Sequence, residues 1–142
     1  MNELASSNLK VLIVEDSPVV SARVKSMLSE LQEINLVGEA MNSKEALIIT
    51  DIMLPDVVLL DISIPGKSGM HVLKEIKKNY LYTKVIMLTT YTESYYRNVC
   101  RELGADYFFD KATEFDKVPE ALISILQEKR IAKVESNSTY EK

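Results

Sequence analysis

Short apolar, β-branched runs alternate with stretches of helical periodicity along the chain, and this alternation restricts the possible folds more than any other feature of the sequence. The runs are LKVLIV at 9–14, INLVGEA at 34–40, DVVLL at 56–60, KVIMLT at 84–89 and YFF at 107–109. The third and fourth are apolar at nearly every position, as in strands covered on both faces of a parallel sheet. Helix signals fill each gap. Ser17 stands where it can cap a first helix with Pro18 at its first position, and Val20, Val24, Met27, Leu28 and Leu31 make one apolar stripe. Asn42 with Glu45 three residues on resembles a capping box for a second helix, which Pro55 ends. A third helix runs from about Ser68 through Leu73 and Ile76. The fourth, from about Thr92, buries Tyr96, Val99 and Leu103 before Gly104 stops it, and the last presents Phe115, Val118, Leu122, Ile125 and Leu126.

Five βα units are too few for the eight-fold barrel, so the expected fold is α/β, a single doubly wound open sheet with helices on both faces. The 142 residues, 46% of them apolar, suffice for one domain with a full core. The predicted organisation is an N-terminal arm over 1–8, the domain over 9–130 and a polar C-terminal tail over 131–142. In that tail, IAKVESNSTYEK loses its periodicity and is expected to fray, with no effector domain attached. Seventeen Lys and Arg against 21 Asp and Glu give a net charge of −4, without the basic excess of a nucleic-acid binder, so no direct nucleic-acid contact is expected. The single cysteine, Cys100, excludes an internal disulfide and a multi-cysteine metal site. No apolar stretch approaches the roughly 20 residues of a membrane helix, and the opening residues lack a secretory segment. A cytoplasmic protein without a membrane partner is expected.

In an open α/β sheet the ligand crevice lies beyond the carboxyl ends of the strands. Those places hold Glu15 and Asp16 after the first strand, Asp61 after the third, Thr89 and Thr90 at the end of the fourth and Lys111 after the fifth. Neighbouring strands lie about 4.8 Å apart, so these groups converge if the first, third, fourth and fifth strands are adjacent. Three close carboxylates raise one another's pKa unless a cation sits among them. With oxygen donors and no nearby Cys or His, Mg²⁺ fits better than Zn²⁺. The acidic pair would hold the ion while Asp61 keeps an oxygen free to attack phosphorus, and Lys111 and the Thr89 hydroxyl would meet the transferred oxygens. Taken singly, each residue has a plainer reading: a solvated turn, a strand-end acid, a surface lysine, a packed strand threonine.

The acidic pair, LLDISIPGKSG at 59–69, VIMLTT at 85–90 and GADYFFDK at 104–111 together resemble the receiver domain of bacterial two-component response regulators, over about residues 9–130. The resemblance implies a flavodoxin-like sandwich whose parallel five-stranded sheet has the order 2-1-3-4-5. It also implies that Asp61 accepts a phosphoryl group from a sensor histidine kinase or a histidine phosphotransfer protein. Mg²⁺ would be held by Glu15, Asp16, Asp61 and the backbone carbonyl of Ser63, with Thr89 as the switch hydroxyl and Lys111 as the phosphate-pairing lysine. Phe108 occupies the place of an aromatic that in the family often turns inward on activation. Phosphorylation would then reshape the face built by the fourth helix, fifth strand and fifth helix, which would control an unidentified protein partner. On this reading the protein is a stand-alone switch, monomeric or dimerising on phosphorylation, and catalyses only its own phosphorylation and dephosphorylation. Tyr91, Tyr95 and Tyr96 are the candidate partner surface.

Two positions depart from the family. Ala112 follows Lys111 where the family usually has a proline with a cis bond, and a non-proline cis bond costs about 2.5–4 kcal/mol, so the isomer of the Lys111–Ala112 peptide stays open. Thr90 replaces a small alanine and Tyr91 could shield the phosphoryl group, so its lifetime is expected to be unusual. Other functional readings remain: a receiver-like adaptor that takes no phosphate, or an aspartyl-phosphate phosphotransferase on an external substrate. The second lacks another acid two residues after Asp61, where Ser63 stands. A flavin module lacks the Ser/Thr/Gly run after the first strand. His71 and the group Lys74, Lys77 and Lys78 read as exposed helix surface, and Cys100 as buried packing.

Overall fold

Apolar side chains on both faces of every central strand require cover on both sides, and the chain supplies it with two layers of helix. The computed structural model describes residues 8–140, the backbone alone from 137 onward, so most of the expected arm over 1–8 lies outside the described residues. The elements in order are β1 (Leu9–Val14), α1 (Pro18–Ser29), β2 (Ile34–Ala40), α2 (Ser43–Met53), β3 (Val57–Leu60), α3 (Gly69–Asn79), β4 (Lys84–Thr89), α4 (Ser94–Glu102), β5 (Tyr107–Asp110) and α5 (Val118–Tyr140). All strand pairs are parallel, and the order is β2-β1-β3-β4-β5. One irregularity interrupts the ladder: Val11 pairs with Leu36 but Leu12 with Gly38, so Val37 is an extra residue in the edge strand β2.

Alternation along the strands divides the core in two. Leu9, Val11, Ile13, Val57, Leu59, Ile86 and Leu88 pack against Val24 and Leu28 of α1 and Val118, Leu122, Ile125 and Leu126 of α5. Leu12, Val14, Val58, Leu60, Val85 and Met87 pack against Ala46 of α2, Val72, Leu73 and Ile76 of α3 and Cys100 of α4. Each fully buried Leu, Ile or Val contributes about 1.5–3 kcal/mol, so the sheet is the stable frame on which the strand-end loops are mounted.

The predicted helix starts are built as expected. The Ser17 hydroxyl accepts from the Val20 N–H at 3.3 Å, and Asn42 Oδ1 accepts from the Glu45 N–H at 2.8 Å. The Glu45 carboxylate reaches back to the Met41 N–H at 3.2 Å, one residue ahead of the cap. α2 closes at Leu54, a non-glycine residue at φ 46° and ψ 61°, directly before Pro55.

Two helices, and two side chains of α3, differ from expectation. α4 starts at Ser94 rather than near Thr92, and its fully buried residue is Cys100, with Tyr96, Val99 and Leu103 only half-buried. A nine-residue helix makes about two and a half turns, so few of its positions face the sheet. α5 continues through Ile131 to Tyr140, where lost periodicity predicts a frayed tail. Periodicity reports burial, and residues 131–140 contain neither Gly nor Pro to break the helix. Lys77 is not on a solvated face, because its ammonium reaches Asp106 Oδ2 at 2.7 Å and the Thr83 carbonyl at 2.9 Å. Lys74 and Lys78 are exposed, and His71 is half-buried. Among the described residues no helix is long and apolar enough to cross a membrane.

Candidate functional site

The adjacency of β1 and β3 places the residues after Val14 and Leu60 side by side. Glu15 is fixed by its N–H on the Ala40 carbonyl at 2.9 Å and Asp61 by its N–H on the Val14 carbonyl at 3.2 Å. Across the sheet, Thr89 pairs with Asp110, and the Lys111 N–H donates to the Thr89 carbonyl at 2.9 Å. Four strand ends therefore open into one site.

Lys111 reaches across it. Its Nζ lies 2.6 Å from Glu15 Oε1 and 2.8 Å from Asp61 Oδ2, and both acids are 6% exposed. The remaining carboxylate oxygens accept from backbone: Glu15 Oε2 from the Ser17 N–H at 3.0 Å and Asp61 Oδ1 from the Ser63 N–H at 3.3 Å. Burial pulls the Lys111 ammonium toward losing its proton, but its hydrogen bonds to Asp61 and Glu15 and their charges outweigh that and raise its pKa. Lys111, expected to pair with phosphate, here serves as the cation between two acids.

Asp16 is exposed and completes an acidic group. Glu15, Asp16 and Asp61 each offer an oxygen, and the three oxygens lie within 4.8 Å of one another. Two charges at that separation repel by about 3.5 kcal/mol at an effective dielectric near 20. Three ionised carboxylates and one ammonium sum to −3 + 1 = −2, the charge that one divalent cation balances. The donors are all oxygen, which suits a hard ion such as Mg²⁺ and not a thiolate- or imidazole-seeking one. Ser63, exposed beside them, is positioned by the same loop.

Two glycines that sequence reasoning passed over hold this loop. A Cβ on Gly69 would lie 2.0 Å from the Asp61 carbonyl oxygen and 2.8 Å from Ile62 Cα, so α3 can start against the loop only with glycine there. The Gly69 N–H donates to the Ile62 carbonyl at 2.8 Å. Gly66, at φ 87°, lies against Ser43, whose N–H donates to the Pro65 carbonyl and whose hydroxyl accepts from the Lys67 N–H at 2.9 Å. The spacing of the glycines in PGKSG was the available signal.

After β4, Thr89 is fully buried and its hydroxyl accepts from the Tyr91 N–H at 3.2 Å, while Thr90 and Tyr91 are exposed. The Tyr91 ring stacks on Tyr96 at 5.2 Å, and Tyr95 meets Tyr96 edge-on at 5.2 Å. Tyr95 is exposed and Tyr96 half-buried, so the three tyrosines form one aromatic cluster with two open members. Phe108 is half-buried against the second core, beneath the Arg97 guanidinium at 4.8 Å from the ring centre. Beyond β5 no described peptide is cis, so Lys111–Ala112 is trans. The Ala112 N–H donates to Asp110 Oδ1 at 2.8 Å and the Asp110 N–H to Glu114 Oε1 at 3.0 Å. That backbone bond, with Lys117, holds the Glu114 carboxyl below the usual range.

Comparison with known proteins gives a consistent result. The family described as "Response regulator receiver domain" matches residues 11–123. Transcriptional regulatory protein YdfI of Bacillus subtilis is 38% identical over 104 residues, covering 73% of this chain and 48% of that protein. Protein-glutamate methylesterase/protein-glutamine glutaminase 1 of Carboxydothermus hydrogenoformans is 37% identical over 131 residues, covering 87% of this chain and 38% of that protein. The chain thus spans about half the length, or less, of these two curated relatives. Among solved structures, the response regulator domain of Thermotoga maritima CheB superposes with a TM-score of 0.75 at 30% identity, covering 87% of this chain and 97% of that one.

Proposed function

The chain belongs to the response regulator receiver domain family, and on that premise we propose that Asp61 is its phosphoacceptor, charged in a Mg²⁺-dependent reaction by a phosphohistidine of a sensor kinase or histidine phosphotransfer protein. One observation carries the reading: the Lys111 ammonium bonds Asp61 and Glu15 together, 2.8 and 2.6 Å away, inside a cluster of three acids. In transfer, a carboxylate oxygen of Asp61 forms a bond to phosphorus as the phosphorus–nitrogen bond of the donor breaks. The electron pair stays on the imidazole nitrogen, and an acyl phosphate results. On this reading Lys111, already bonded to Asp61, would meet the new oxygens as a cation, and the buried Thr89 hydroxyl would donate to them. Mg²⁺ held by Glu15, Asp16, Asp61 and the Ser63 carbonyl would offset the charge gathered on the phosphoryl oxygens.

The phosphoryl group adds about −1.5 to −2 charge at Asp61. A nearly complete population switch needs about 5.5 kcal/mol. Charge-assisted hydrogen bonds from Thr89 and Lys111, at about 1.5–3 kcal/mol each, approach that figure. The loop after β4 would move toward Asp61, and the face of α4, β5 and α5 would follow and alter a protein contact. Absence of direct nucleic-acid contact is proposed from charge for these residues alone, since the Bacillus subtilis relative is named a transcriptional regulator.

The test is incubation with acetyl phosphate, with and without Mg²⁺, read by intact mass. Wild type should gain one phosphoryl group only with Mg²⁺, and Asp61→Asn none. A wild type that binds Mg²⁺ and gains no mass contradicts the reading and favours an adaptor that takes no phosphate.

A further inference from the structure

Thr92 lies three residues beyond Thr89, in the loop that leads from the site to α4, and its carbonyl accepts from Arg97 Nε at 2.9 Å. The same guanidinium stands over the Phe108 ring of β5, 4.8 Å from its centre. Arg97 thus touches both elements that a phosphorylated Asp61 would have to move, and it touches nothing in the site itself. Its charge also reaches Glu114 in the turn that follows β5. The loop has a second tie in the stacked pair Tyr91–Tyr96, and Tyr91 supplies the N–H that the Thr89 hydroxyl accepts.

We propose that Arg97 is a positioning residue that braces the loop after β4 against Phe108 and so opposes the inward movement of Thr89. The inference rests on Asp61 being the phosphoacceptor. A planar guanidinium can donate from Nε along one edge while its face covers a ring, whereas a lysine ammonium is a single point charge that cannot do both. The interaction therefore depends on arginine and not on positive charge alone. It acts through the Thr92 backbone and the Phe108 ring, so its removal should favour the moved loop without touching the acids or Lys111.

The probe is beryllofluoride with Mg²⁺, a phosphoryl mimic, added to wild type, Arg97→Ala, Arg97→Lys, Phe108→Leu and the Arg97→Ala/Phe108→Leu double variant. The readout is intrinsic fluorescence, which comes from seven tyrosines because the chain has no tryptophan. Arg97→Ala and Arg97→Lys should both bind beryllofluoride about five- to seventy-fold more tightly than wild type, the range set by one hydrogen bond and one exposed cation–π contact together. The double variant should bind no more tightly than the tighter single one, because both changes release the same contact. Arg97 is exposed, so its variants are expected to fold, and a cooperative melt with a midpoint within a few degrees of wild type verifies this. A wild type that responds while both Arg97 variants match its affinity overturns the brace and leaves the phosphoacceptor reading standing. Full retention of wild-type affinity by Arg97→Lys with tighter binding by Arg97→Ala also overturns it, by reducing Arg97 to a charge. A wild type that takes no beryllofluoride overturns both.

Discussion

Without the Lys111 ammonium, Glu15 and Asp61 would face each other as two buried, unpaired carboxylates. Lys111→Ala should therefore lower unfolding stability by about 3 kcal/mol, the cost of breaking a largely buried ion pair from one side. Mg²⁺ should then restore more stability to the variant than it adds to wild type, as thermal melts with and without the ion would show. Lys111 was readable in the sequence as a strand-end lysine, but its resting partners lie 96 and 50 residues away and were not. Only the fold sets which acid a flexible side chain reaches. Cys100 is the opposite case, since a lone cysteine in an apolar helix face reads as packing, and burial pushes its thiol up from 9.0 to about 11. The unfolded chain loses that proton first, so the stability linked to it is intact below pH 9 and declines as pH rises toward 11. The full loss is about 2–3 kcal/mol. Urea melts of wild type should steepen in pH dependence over that window relative to Cys100→Ala.

At the level of elements, the loop between β3 and α3 is set by close approach rather than by side-chain contacts. In Gly69→Ala the new methyl would meet the Asp61 carbonyl oxygen at 2.0 Å, a backbone atom that cannot rotate away. The expected cost is about 3 kcal/mol or more, measured in urea, with weakened Mg²⁺ binding as the loop shifts. Leu54 gives the reverse prediction. It is 60% exposed and sits at φ 46°, so Leu54→Gly should stabilise the protein by about 0.5–1 kcal/mol through relief of left-handed strain. The caps at Ser17 and Asn42 were legible because capping is local chemistry written within four residues. The start of α4 and the extension of α5 were not, since apolar spacing marks where a helix is buried and says little of where an exposed one ends.

Across the whole molecule, alternation of strand and helix signals was enough to require a parallel sheet covered on both faces, and the two separate cores bear this out. Strand order was not derivable from the alternation. It came from the resemblance, because the register of one βα unit against the next is decided by contacts distant in sequence. Once the order β2-β1-β3-β4-β5 is in place, Glu15, Asp61, Thr89 and Lys111 are brought to one end of the sheet by strand geometry alone. The claim that this convergence is a phosphoacceptor site is tested most directly by locating the acyl phosphate. Protein treated with acetyl phosphate and Mg²⁺ is reduced with borohydride, which converts an aspartyl phosphate to homoserine, and the peptides are sequenced by mass spectrometry. Homoserine at position 61 and nowhere else is the predicted result; its absence there, or its appearance at position 16 instead, would contradict the account.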